Sequence, residues 1–280
     1  MKITYDISTL TPYIDWVYFY HAWQLTDQAE QQRIRREAED FLRTLQDRYH
    51  AHALFLLSDA HAEVDDIVLD DILIDGVGAR LPMLRQQQAD SRFLCLADYI
   101  SSITNNLSPI TNNLSPITTG RIGLFSTSVD AAMVSDFDSD VYQKMMAQLL
   151  ADRLAEAAAE RLHEEVRKTY WGYAADEHLT IAQMQQARYQ GIRPAVGYPC
   201  LPDASLNFVL DRLLHMQQIG ITLTENGAMC PHASVSGLML AHPDARYFSV
   251  GKIGPDQLAD YARRRHLPLA TVRKFLISHL

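Results

Sequence analysis

Three stretches of this sequence concentrate residue types that bind or react. Residues 13–23 set a single carboxylate, Asp15, inside a run of tyrosine, tryptophan and phenylalanine. A carboxylate so placed can pair with a cationic ligand, or simply cap a helix or turn beside core aromatics. Residues 193–199 read Arg-Pro-Ala-Val-Gly-Tyr-Pro, with two prolines and a glycine fixing the backbone beside Arg193. Such a segment can offer carbonyls and amides to a ligand while the guanidinium forks onto a carboxylate; it can also be a rigid turn. The third stretch runs from Pro231 through Gly237 to His242 and on to Tyr247 and Phe248. Its small residues permit close backbone approach, and its aromatics could stack on a base or fill a hairpin core. Read from the residues alone, each structural alternative is the simpler account.

Other chemistries fail on spacing. There is no phosphate loop of the G-x-x-x-x-G-K-[ST] type and no G-x-G-x-x-G; Gly76-Val77-Gly78 alone carries little. His163-Glu164-Glu165-Val166-Arg167 has arginine where a zinc protease needs its second histidine. His50, His52 and His61 stand near Glu63, Asp65 and Asp66 without a fixed ligand geometry, so no metal is expected. There is no G-x-S-x-G elbow and no catalytic-cysteine context. Cys95, Cys200 and Cys230 are odd in number and far apart, which suits a reducing, cytoplasmic setting.

The elements that must position these residues follow from composition and periodicity. With 48% hydrophobic and 21% charged residues, the 280-residue chain has globular composition. The 34 acidic against 25 basic residues, net −9, disfavour nucleic acid and anionic membrane as general partners. No signal-peptide core and no membrane-spanning run is present. A helix is expected from Thr26, as cap, to about His50, with a stripe through Ile34, Ala38, Phe41, Leu42, Leu45 and Tyr49. The strongest helical signal covers residues 135–169, with Val141, Met145, Leu149, Leu154, Ala158, Leu162 and Val166 as its buried stripe. Shorter helices are expected near 180–189, over 205–218, and as a pair split at His266-Leu267-Pro268. Strands are expected at 53–57, 67–74, around Leu124, at 221–225 and at 247–253. Helices and strands do not alternate as βαβ, which predicts an α+β fold around a central antiparallel sheet, and no linker divides the chain, so one domain spans 1–280. A heptapeptide from Asn105 to Thr111 recurs as Asn112 to Thr118, making residues 102–119 a tandem-repeat surface loop.

The same stretches resemble the activation domain of cobalamin-dependent methionine synthase. The family's R-x-x-x-G-Y-P motif is matched by Arg193, Gly197, Tyr198 and Pro199. Ile14-Asp15-Trp16, Leu150 to Glu156, Tyr170-Trp171-Gly172-Tyr173, Tyr189 to Pro194, Ala233 to Gly237, His242-Pro243-Asp244, Asp256-Gln257 and Asp260 to Arg264 match in the same order. The resemblance implies a C-shaped α+β domain, with long flanking helices, that binds S-adenosylmethionine in a shallow groove. There it supports reductive methylation of cob(II)alamin, with an electron from flavodoxin or a flavin reductase. By the same resemblance, Asp15 would take the ligand's ammonium and Arg193 its carboxylate. The backbone at Ala195 and Gly197 would approach the adenosine, and Tyr198 would be the catalytic residue beside the methyl and the corrin. Tyr247 and Phe248 would form the second binding segment, with phenylalanine where tyrosine is common. Glu156 would lie near the site, and His232 stands where the family has a small residue. The homocysteine, folate and cobalamin modules, with their D-x-H-x-x-G motif, are absent from this sequence. The expectation is therefore a free-standing activation protein acting in trans on a cobalamin-binding module of methionine synthase or a related corrinoid protein. The competing expectations are a non-catalytic corrinoid-protein docking or sensing module that keeps the groove, and a structural remnant whose site is no longer used.

Overall fold

The computed structural model describes residues 1–88, 92–101 and 116–280. Most of the duplicated segment, residues 102–115, lies outside the described residues. The chain opens with β1 (Lys2–Asp6), α1 (Ile7–Leu10), α2 (Trp16–Ala22) and α3 (Gln28–Leu45). A meander follows, β2 (His50–Glu63), β3 (Asp66–Ile74) and β4 (Val77–Pro82), then α4 (Pro116–Thr119), β5 (Arg121–Val129), α5 (Ala132–Ser135) and α6 (Val141–Glu165). The last part holds α7 (Ile181–Gln185), α8 (Leu206–Leu214), the small ribbon β6 (Thr222–Leu223) and β7 (Met229–Cys230), β8 (Ser234–Met239), α9 (Pro255–Arg264) and α10 (Leu269–Phe275).

The central sheet is antiparallel throughout, in the order β4-β3-β2-β5-β8. Strand β2 is long enough to serve two neighbours on one edge: residues 50–54 pair with β1 and residues 60–63 with β3. Both faces of β5 are covered. Phe125 and Val129 pack with Leu154, Ala158 and Leu162 of α6, whereas Ile122 and Leu124 pack with Leu206, Leu210 and Leu214 of α8. The fully buried hydroxyls of this strand are satisfied: Ser126 donates to the Val235 carbonyl (3.1 Å), Thr127 to Ala155 (2.9 Å) and Ser128 to Ile219 (2.5 Å). The α+β expectation with long flanking helices therefore holds.

Several element boundaries differ from expectation. Helix α3 is capped by Asp27, whose carboxylate accepts the Glu30 N–H at 2.9 Å, not by Thr26, and it ends at Leu45. The 135–169 signal resolves into α5, α6 and a π-helical turn at Val166–Tyr170. Its buried stripe slips by one residue near the start: Val141 (85% exposed) and Met145 (40%) face out, while Met146, Leu150 and Leu154 face in. The alanine face, with the Ala155 carbonyl bonded to Thr127, sets the register that turns Met146 rather than the adjacent Met145 inward. Residues 247–253, expected as a strand, are irregular chain laid over the Tyr198–Leu201 turn, where the Val250 N–H donates to the Pro199 carbonyl (2.9 Å). The strand of the third cluster is β8 instead, residues 234–239. Its run of small residues, Ala-Ser-Val-Ser-Gly, concealed the strand because packing rather than bulk holds it.

A groove closed by the sheet edge

The free edge of β8 is covered by the arginine–proline segment. Ile192 exchanges backbone hydrogen bonds with Leu240 (2.9 and 3.0 Å), Leu238 donates to Pro194 (3.0 Å) and Val196 to Ser236 (2.9 Å). Pro194, lacking an N–H, stands where an edge strand tolerates it. Gly237 makes the close pairing possible. A Cβ there would meet the Pro194 carbonyl oxygen, come within 2.8 Å of the Phe125 ring and 2.9 Å of the Ala195 Cα. In this register the Arg193 N–H points away from β8, and it donates to the Tyr247 hydroxyl at 2.9 Å. The segment then turns at Gly197, whose φ of +89° suits glycine, with the Gly197 N–H bonded to the Leu201 carbonyl (2.8 Å).

This edge, helix α6 and the start of α2 enclose a groove of about 710 Å³, within the ~300–1,000 Å³ usual for small-molecule sites. Asp15, Glu156, Arg193, Ala195, Tyr198, Tyr247 and Phe248 all line it. Residues from distant parts of the sequence thus meet at one place. Two expected site residues stand elsewhere. Gly197 shapes the turn rather than lining the groove. His232 lies at the rim of an adjoining cavity of about 350 Å³, its side chain 94% exposed and 3.1 Å from Asp152, so it does not narrow the main groove.

Asp15 has two roles open to it at once. It is the N-cap of α2, accepting the Val17 N–H at 2.9 Å, and it faces the groove. Arg193 is held below the surface with its side chain 12% exposed. It donates to the Ala159 carbonyl (2.7 Å) and to Glu160 (3.0 Å). Burial, the largest single influence, opposes its charge, but Glu160, Tyr189, Tyr247 and Glu156 together outweigh it, so its pKa stands above the ordinary value. Tyr198 is 55% exposed at the mouth, with its hydroxyl 3.5 Å from Glu156; that carboxylate first, then burial, raises its phenol.

Sequence reasoning missed Glu160, Arg153 and Tyr189, which also line the groove. Glu160 had a signal: it stands one helical turn after Glu156 and so shares its face. Tyr189 anchors the back wall. The Arg167 guanidinium covers its ring at 4.4 Å, the buried His163 ring meets it edge-on at 4.7 Å, and its hydroxyl lies 3.3 Å from that of Tyr247. Three carboxylates and two guanidiniums line the groove, an excess of negative charge that favours a cationic ligand.

A family model described as the vitamin B12 dependent methionine synthase activation domain matches residues 6–266. The chain belongs to this family. A solved structure of the MetH reactivation domain bound to AdoHcy (S-adenosylhomocysteine) resembles it with a TM-score of 0.89. The two share 35% identity, over 100% of this chain and 90% of that one. The resemblance read from the motifs is borne out, and the fold is that of a methionine synthase activation domain, a part of a methyltransferase. Among the described residues, no helix is long and apolar enough to cross a membrane.

Proposed function

We propose that the groove binds S-adenosylmethionine and presents its methyl group to cobalamin carried by a cobalamin-binding module, in the cytoplasm. The observation that carries this reading is the convergence of Asp15, Arg193, Tyr198 and Tyr247 on one groove, in a chain 35% identical to a domain solved with AdoHcy. The ligand suits the lining. Its carboxylate matches the Arg193 fork, its ammonium matches Asp15, and its sulfonium adds the positive charge that the acidic groove favours.

A sulfonium is already activated for methyl transfer, so the residues have no proton to remove. Their work is to bind and orient. Arg193 and Asp15 would fix the amino-acid end of the ligand. The backbone at Ala195 and the rings of Tyr247 and Phe248 would bound the nucleoside, and Tyr198 at the mouth would define where the methyl emerges. Cobalamin, when docked, supplies the methyl-accepting cobalt, and a flavodoxin or flavin reductase supplies the single electron. S-adenosylhomocysteine is the product that leaves.

Calorimetric titration with S-adenosylhomocysteine tests the binding step. Saturable binding at one site is expected, weakened at least ~10-fold by Arg193→Ala, the loss of a buried charge-assisted contact. Equal affinity in the variant removes the site assignment.

A further inference from the structure

Helix α6 places two carboxylates one turn apart on the groove wall, and each reaches a different residue of the 193–198 segment. Glu156 meets the Tyr198 hydroxyl, and Glu160 meets Arg193. The second contact is the tighter one: the N···O separation is 3.0 Å and both side chains are only 12% exposed. The preceding residue contributes as well, since the Ala159 carbonyl accepts from the other terminal nitrogen of Arg193 at 2.7 Å. Consecutive residues of one helix therefore hold both terminal nitrogens of the guanidinium, while the Tyr247 hydroxyl holds its backbone N–H.

We propose that Glu160 is a positioning residue for ligand recognition: it fixes the orientation of Arg193 so that the rest of its fork meets the ligand's carboxylate. A guanidinium carries five N–H donors, and one bond at each terminal nitrogen leaves N–H groups for a second carboxylate. Arginine has several rotatable bonds, so an unanchored Arg193 would lose conformational freedom on each binding event; an anchored one has already lost it. Glu160 also offsets the charge of a guanidinium held largely out of water, which would otherwise be costly to keep there. The other groove carboxylates serve different partners, Asp15 the α2 cap and Glu156 the Tyr198 hydroxyl. This inference rests on the proposed binding of S-adenosylmethionine. It differs from a competitive arrangement, in which Glu160 would occupy Arg193 until the ligand displaced it, and the two predict opposite signs.

The test titrates S-adenosylhomocysteine and 5′-methylthioadenosine, which lacks the amino-acid end, into the intact chain and its Glu160→Gln and Arg193→Ala variants. Glu160→Gln is expected to weaken S-adenosylhomocysteine about tenfold and methylthioadenosine less than about twofold, because only the first ligand uses the Arg193 fork. A merely structural role would weaken both ligands alike. Should Glu160→Gln not fold, Glu160→Asp, which keeps the charge but draws it back by one methylene, is expected to show the same selective loss. The proposal is overturned if Glu160→Gln leaves S-adenosylhomocysteine affinity unchanged, tightens it, or weakens both ligands equally while Arg193→Ala still weakens the first. If Arg193→Ala is itself without effect, the groove assignment fails and the role of Glu160 fails with it.

Discussion

Gly237 and Ala195 face each other across an antiparallel bridge so close that no side chain fits on the glycine. The groove exists because of that approach: it lets the segment bearing Arg193 and Tyr198 lie along β8 as an added edge.

Gly237→Val should therefore push this segment off the sheet. The added methyls collide with backbone at Pro194 and Ala195, which cannot rotate away as a side-chain tip can. We expect a loss of about 1–3 kcal/mol in stability by denaturant melting, typical of overpacking. The folded fraction should also fail to bind S-adenosylhomocysteine. Retained affinity in the folded variant would show that the edge pairing does not shape the groove.

Asp15 separates two roles by a single substitution. Asn caps a helix as well as Asp does, so Asp15→Asn should leave the melting temperature close to the wild-type value while lowering affinity for the charged nucleoside roughly tenfold. A drop in melting temperature with unchanged affinity would make Asp15 a cap alone.

These two positions show what was legible in the sequence and what was not. The α+β class, α3 and the helix pair at the C-terminus could be read because periodicity is a local signal, whereas the groove residues stood out as a set only through the family resemblance. The role of Gly237 was hidden, since its constraint comes from Pro194, a residue more than forty positions away in the chain. Glu160 was passed over for a related reason: its partner Arg193 is 33 residues distant, and the helix pattern alone gives a solvated face. The strand expected at 247–253 failed because aromatic content mimics β propensity, whereas those residues pack on the Tyr198–Leu201 turn.

A buried ion pair ties α9 to the start of α8. Asp203, 1% exposed, accepts from Arg265 (2.5 Å), the Tyr261 hydroxyl (2.8 Å) and the Ser205 N–H (2.9 Å). Asp203→Ala leaves the Arg265 guanidinium buried without its carboxylate, so a loss of about 3–5 kcal/mol is expected in denaturant unfolding. A change below about 1 kcal/mol would mean that Arg265 finds solvent instead.

Stability should fall on the acid side through His163. Burial first, then the Arg167 and Arg193 guanidiniums, pushes this fully buried ring well below its ordinary value of 6.5. The unfolded chain takes up that proton near 6.5 while the folded chain does not, so the unfolded state binds more protons and stability rises with pH. The contribution is complete above about pH 7 and is lost as pH falls, with a slope approaching ~1.4 kcal/mol per pH unit. His163→Gln should flatten this dependence; an identical slope in the variant would assign it to other groups.

The central claim, that this chain hands a methyl group from S-adenosylmethionine to cobalamin on a cobalamin-binding module, is tested most directly by reconstitution. The chain would be mixed with a separate cobalamin-binding module of methionine synthase in the cob(II)alamin state, reduced flavodoxin, and S-adenosylmethionine labelled in the methyl group. The account predicts that label appears on the cobalamin, one per S-adenosylhomocysteine released, and that Arg193→Ala abolishes the transfer at low ligand concentration. Binding of S-adenosylmethionine with no label on the cobalamin would contradict it.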